Sequence, residues 1–245
     1  MSARLRVAAR LAGLTALFLA CIVPHLLSKL VLGRSRVPPF FLGAAGWIAG
    51  ARVRTEGEPA RPHSLLLANH LSWLDILILG GATGCAFVSK DALGNGFVHW
   101  LADQNGTLYV KRSHRKGAKD QAAAIAAALE RTQPVTLFPE GTTGTGDRLL
   151  PFRSTLLEAA AVAPRAITVR PVAVDYGAAA SEIAWHGEPA RDNVLRMLGR
   201  RGGLPVTVRL LPPLPRSADR KALARAAHDA IGDALAASSS PRAGL

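Results

Sequence analysis

Asn69-His70-Leu71-Ser72-Trp73-Leu74-Asp75 places an imidazole and a carboxylate five residues apart, directly after the apolar run Ser64-Leu65-Leu66-Leu67-Ala68. An imidazole titrates near neutral pH and can take a proton from a reacting group, while a carboxylate on its second nitrogen fixes tautomer and orientation. With a buried strand ending at Ala68 and a helix beginning soon after, His70 stands at the strand end. Asp75, one turn into the helix, then points back at it. The pair is a base with its orienter, and no nucleophile accompanies it. Ser72 and Asp75 also fit a capping box, with Ser72 as N-cap and the carboxylate at N3. That reading needs no catalysis, but it gives no reason for His70.

Pro134-Val135-Thr136-Leu137-Phe138 reads as a second short buried strand, followed at once by Pro139-Glu140-Gly141-Thr142-Thr143-Gly144. Alone, the proline and glycines mark only a turn. Taken together, the two segments resemble the lysophospholipid acyltransferase family, typified by 1-acylglycerol-3-phosphate acyltransferases. That family carries a His-x4-Asp block, a block with a basic end, Phe-Pro-Glu-Gly-Thr-Arg, and a short apolar strand containing proline. The second block corresponds to residues 90–112, ending Tyr109-Val110-Lys111-Arg112. The fourth corresponds to Val169-Arg170-Pro171-Val172-Ala173-Val174. The likeness covers about residues 52 to 215.

The resemblance implies transfer of a fatty acyl group from acyl-CoA or an acyl-carrier protein to the hydroxyl of a lysolipid, without a cofactor or metal. It makes His70 the general base and Asp75 its orienter, the lipid supplying the attacking oxygen. It assigns substrate binding to Asn69, Ser72, Lys90, Arg112, Glu140, Gly141, Thr142 and Thr143. Thr143 departs from the family's arginine, exchanging a fork of charged donors for one hydroxyl. Arg148 or Arg153 could restore the lost charge. The expected acceptor is 1-acylglycerol-3-phosphate, giving phosphatidate. The alternative is a lyso-ornithine lipid, an amino-acid lipid without phosphate, whose bacterial acyltransferases carry a similar Glu-Gly-Thr-Thr-Gly. More remote readings are a thioester or lipid hydrolase and a non-enzymatic basic protein of the membrane surface. No Gly-x-Ser-x-Gly elbow supports the first of these.

The elements that must position these residues alternate. Strands are expected over residues 52–55, 64–68, 85–89, 107–110, 135–138, 167–175 and 206–211. Helices are expected over 73–79, 96–103, 117–131, 154–163, 192–198 and 218–236. Such alternation predicts an α/β fold, a central mixed sheet covered by helices. An N-terminal membrane-associated helical segment precedes it. Residues 1–51 form that anchor, 52–237 the acyltransferase domain and 238–245 a flexible tail.

Leu11 to Ser28 carries no Lys, Arg, Asp or Glu over 18 residues, just long enough against the roughly 20 that span a bilayer, and Leu30 to Leu32 extend it. A second uncharged run, Val37 to Ala51, is shorter. Arginines flank the first run on both sides, a balance that suits a helix dipping into one leaflet and returning. The net charge of +13 favours an anionic partner, either a membrane face or an acidic acyl-carrier protein. No nucleic-acid signature accompanies it. The resemblance places the active site on the cytoplasmic side of a bacterial inner membrane. Cys21 and Cys85 sit in apolar surroundings and imply no disulfide framework.

Overall fold

Two apolar helices lead the chain, α1 (Ala3–Leu32) and α2 (Val37–Ala49). Gly33 ends the first in the left-handed region with φ 65°, and Pro38 and Pro39 enter the first turn of the second, where a missing N–H costs nothing. In the computed structural model the described residues are 1–90, 96–110, 123, 125–157, 167–217 and 219–239.

Seven strands follow: β1 (Ala51–Glu56), β2 (Ser64–Ala68), β3 (Ala86–Lys90), β4 (Leu108–Val110), β5 (Val135–Leu137), β6 (Thr168–Asp175) and β7 (Leu204–Leu210). They form one sheet in the order β1-β7-β6-β2-β5-β3-β4. Every pairing is parallel except β6 with β7. The sheet is therefore mixed, as expected. Strand β2 is buried at all five positions, which its unbroken apolar run requires of a strand covered on both faces. Leu66 and Ala68 belong to one apolar cluster with Leu74 and Ile78. Leu65 and Leu67 belong to the other with Ile125, Leu129 and Leu223. The period of two sorts the same strand into both halves of the core.

The principal helices between and after the strands are α3 (Leu74–Thr83), α4 (Gly96–Gln104), α5 (Ala190–Gly199) and α6 (Arg220–Ser239). Of the helix expected over 117–131, residues 125–129 are helical, and 117–122 and 124 lie outside the described residues. At 154–163 a 3₁₀ turn occupies Ser154–Leu157 and the remainder lies outside them. Helix α6 continues through Ser238 and Ser239, two residues expected in the tail. Capping there comes from Asp219, whose Oδ1 accepts from the N–H groups of Lys221 and Ala222. Cys21 and Cys85 are free and buried.

Among the described residues α1 is the one helix long and apolar enough to cross a membrane. It is also docked along the domain. Arg6 and Arg10 donate to the carbonyls of Gly199, Met197 and Leu198 at the end of α5, where orphan carbonyls and the helix dipole favour a cation. Further on, Phe18 packs edge-on against Phe97 of α4. The opposite side leaves Leu19, Val23, Leu27 and Leu30 more than half exposed. Helix α2 joins this layer to the sheet by crossing α3 where two glycines meet. A Cβ built on Gly81 would lie 2.4 Å from the Cα of Gly43. Gly81→Ala must therefore push the helices apart and is expected to destabilise the protein by about 1–3 kcal/mol. Gly96, whose Cβ would meet nothing within 4 Å, supplies the control Gly96→Ala, and denaturant midpoints of the two variants give the comparison.

Candidate active site

The apolar run of β2 ends at Ala68, and the next side chain, Asn69, is locked. Its Nδ2 donates to the carbonyl of Val174 at 2.9 Å and its Oδ1 accepts from the N–H of the same residue at 2.8 Å. This two-point bond to β6 fixes where His70 emerges. Asp75 lies in the first turn of α3 and is fully buried. Its Oδ2 accepts from His70 Nδ1 at 2.8 Å, from the Leu71 N–H at 2.7 Å and from the Ser72 N–H at 2.9 Å. The helix starts at Leu74 with Trp73 as N-cap, one residue later than the capping box read from the sequence, so these N–H groups belong to the turn ahead of it. One carboxylate oxygen thus both closes that turn and holds the imidazole. Because Nδ1 donates to Asp75, Nε2 of the neutral ring carries the lone pair.

The other Asp75 oxygen accepts from the Tyr176 hydroxyl at 2.5 Å. Burial, then the charge of Asp75, drives the Tyr176 phenol well above its ordinary range, so it remains a donor. Nothing near Tyr176 in sequence marks this role. Its one clue is its place just after β6, the strand of the fourth block.

Glu140 closes the site from the β5 side. Its Oε1 accepts from the His70 N–H at 2.7 Å and its Oε2 from the Leu150 N–H at 3.2 Å. Burial pushes the Glu140 carboxyl up to about 7, against the two N–H groups, which hold it down. Gly141, at φ 75°, turns the chain back so that the Gly144 N–H reaches the His70 carbonyl at 2.8 Å. The Thr143 hydroxyl donates to the Trp185 carbonyl at 2.6 Å, and the Trp185 N–H donates to the Leu71 carbonyl at 2.8 Å. Three loops are thereby laced around one imidazole, which stacks on Phe138 with centroids 4.0 Å apart.

His70 lines a cavity of about 990 Å³ that runs beneath α1 and α2 and along α4. Trp73, Gly141, Thr142, Thr143 and Trp185 line it near the histidine, and His186, which the sequence reading did not single out, joins them. Among the described residues no Lys, Arg, Asp or Glu lines it.

The expected substrate-binding set therefore divides. Gly141, Thr142 and Thr143 border the cavity with His70. Asn69 and Ser72 do not: both are buried, Asn69 is spent on Val174, and Ser72 Oγ accepts from the Leu74 N–H. Glu140 likewise spends both oxygens on backbone. Arg148 and Arg153 are exposed and outside the cavity wall. Arg112 and the Lys90 side chain lie outside the described residues.

The acyltransferase family profile matches residues 52–175, from β1 to the end of β6. The chain belongs to the acyltransferase family. This acyltransferase is 34% identical to a lyso-ornithine lipid O-acyltransferase of Pseudomonas aeruginosa, over 98% of this chain and 97% of that one. A 1-acyl-sn-glycerol-3-phosphate acyltransferase of Neisseria gonorrhoeae is 35% identical over 42% of each chain. The crystal structure of the 1-acyl-sn-glycerophosphate acyltransferase PlsC from Thermotoga maritima superposes with a TM-score of 0.60 at 18% identity, over 94% of this chain and 97% of that one. The fold is shared with it across nearly the whole length, α1 and α2 included.

Two outcomes follow from the hydrogen bonds. Removing the phenol in Tyr176→Phe leaves a buried carboxylate oxygen unpaired and is expected to cost about 1–3 kcal/mol of stability, read as a lower denaturation midpoint. Glu140 ordinarily titrates at 4.5 and in the folded protein at about 7. Between those values the folded state binds more proton than the unfolded one. Stability from this group is present below about 4.5 and declines as pH rises to about 7. Glu140→Gln should flatten that slope in unfolding curves taken across the interval.

Proposed function

We propose that this acyltransferase is a membrane-associated lyso-ornithine lipid O-acyltransferase, moving a fatty acyl group from a thioester of CoA or acyl-carrier protein to a lipid hydroxyl. The observation that carries the reaction is His70, anchored at Nδ1 with Nε2 left basic, on the wall of a large apolar cavity. Nε2 takes the proton as the lipid oxygen attacks the thioester carbonyl. The tetrahedral intermediate collapses with loss of the thiolate, which takes the proton back from the imidazolium. Asp75 stabilises that imidazolium and is not itself protonated. Glu140, Asn69 and Tyr176 act as positioning residues. The step uses no cofactor and no metal.

Two observations favour lyso-ornithine lipid over lysophosphatidate. The residue at the family's arginine position, Thr143, brings no charge and its hydroxyl is already committed to Trp185. The described cavity wall carries no Lys or Arg to meet a phosphate, and the exposed Arg148 and Arg153 lie off it. The relatives named lyso-ornithine lipid O-acyltransferase also match more of the chain, from 58% to the 98% of the one from Pseudomonas aeruginosa, whereas the glycerol-phosphate relative from Neisseria gonorrhoeae matches 42%.

The exposed apolar side of α1, with Phe40 and Trp47 of α2, supports a helix pair embedded in one leaflet. The domain stays attached beneath it, on the cytoplasmic face of a bacterial inner membrane. An acidic donor carrier then meets a basic protein at the surface where the acceptor resides.

Thiol release from a long-chain acyl thioester, measured in lipid vesicles with each acceptor, tests this reading. Lyso-ornithine lipid should support faster release than lysophosphatidate, and His70→Ala should lower it by about 10²- to 10⁴-fold. A preference for lysophosphatidate would overturn the acceptor assignment. Equal release with and without any lysolipid would make the protein a hydrolase.

A further inference from the structure

A further histidine shares the cavity. His25, from the middle of α1, is 4% exposed and lines the same space as His70. Its surroundings fix its chemistry. Gln104 Nε2 donates to the Trp100 carbonyl at 3.1 Å, which orients the amide so that Oε1 faces the other way. That oxygen accepts from Lys29 Nζ and meets His25 Nε2, each at 3.1 Å. Since Oε1 can only accept, His25 Nε2 must donate, and in the neutral ring Nδ1 is then a bare acceptor. Nδ1 has no hydrogen-bond partner among the described residues. A buried acceptor left this way is costly, and buried polar groups in folded proteins are nearly always paired.

The histidine stands at the end of the cavity remote from His70. Asn105, next to Gln104, donates to the Cys85 carbonyl at 2.9 Å, just before β3 begins. The parallel register sets Ala86 beside Val135, whereas His70 stacks on Phe138 at the opposite ends of these strands. Three residues of strand separate the two levels, about 10 Å. The cavity wall is largely apolar, with Phe18, Ile22, Phe41 and Leu101 among the lining residues.

We infer that His25, oriented by Gln104, reads the transferred acyl chain by accepting a hydrogen bond from a hydroxyl carried on the chain's distal part. The chemical class favoured is a hydroxylated fatty acyl thioester, an unsubstituted chain leaving Nδ1 unpaired. This rests on the acyl-transfer reading above, with the transferred chain placed in this cavity and its carbonyl at His70.

The experiment compares acyl thioesters of one chain length, unsubstituted or hydroxylated at successive positions toward the distal end. For the wild type, kcat/KM should peak at one hydroxyl position. In His25→Leu the ratio of that isomer to the unsubstituted chain should fall by about tenfold or more, the value of a buried hydrogen bond. Gln104→Leu, which frees the ring while keeping the imidazole, should also lower the ratio. A flat series in the wild type, or a preference surviving in His25→Leu, would overturn the inference. Equal losses with both chains would show a purely structural histidine and overturn it as well. Binding supplies a readout independent of turnover. Trp100 lines the cavity beside Gln104, so tryptophan fluorescence can be titrated with the matching free hydroxylated and unsubstituted fatty acids. Transfer without hydroxyl preference would sink this inference alone, and absence of transfer from every donor would sink the functional reading, leaving the titration to decide His25.

Discussion

The geometry of the site depends on the Asp75 carboxylate. A buried carboxylate without donors is heavily penalised, and Asp75 escapes this because four donors converge on it. Two are backbone N–H groups of the turn between β2 and α3, one is the imidazole, and one is a phenol from the end of the neighbouring strand β6. The bonds are mutually dependent. The turn closes only around the carboxylate, and the carboxylate is tolerable only inside the turn. His70 inherits its direction from both. The Glu140 carboxylate repeats the device one loop away, binding the backbone N–H of His70 itself. The reactive imidazole is thus held at ring and backbone by two buried acids, and the supports are strand ends and a helix start, which locate a side chain more sharply than a long loop.

The same constraint explains why the apolar helices at the N-terminus belong with the chemistry. Helix α3 carries Asp75 at its start and crosses α2 near its end, at the contact of Gly43 and Gly81. Helix α1 lies over α2 and α4 and completes the cavity roof. Its outward side chains are exposed, so the roof has one face toward the cavity and an apolar face away from it. In the membrane-associated reading proposed above, this one layer of helix would serve as cavity wall and as lipid-facing surface, and an acyl chain would pass between bilayer and site without crossing water.

Much of this was legible in the sequence where local pattern carries the information. Most of the strands announce themselves as short apolar runs, β1 with its two arginines excepted, and His70 with Asp75 is readable because their partnership spans five residues. What was not legible is what long-range packing decides. Tyr176 is 101 residues from Asp75, and a lone tyrosine after a strand carries no mark of its partner. Asn69 reads as part of a substrate-binding block, yet the neighbouring strand consumes both ends of its amide. His25 lies in an apolar run, where sequence shows an interruption but not a cavity. The N-terminal segment reads as an anchor apart from the catalytic domain, because nothing in an apolar helix says which of its sides meets protein.

The surroundings of His70 also bear on why transfer should win over hydrolysis. Water is the most abundant hydroxyl available to the proposed base, and it needs no binding site. The protein can disfavour it only by keeping it from Nε2. His70 is 19% exposed at its side chain, stacked flat on Phe138, with Phe87 behind at 6.1 Å between centroids. Trp73 and Trp185 border the same space. A water beside Nε2 finds few further partners on such walls, whereas in the proposed reaction the transferred acyl chain fills the apolar volume and the lipid hydroxyl takes the place of water at the base. Occupancy of the cavity would thus order that reaction, with water excluded once both substrates are in place.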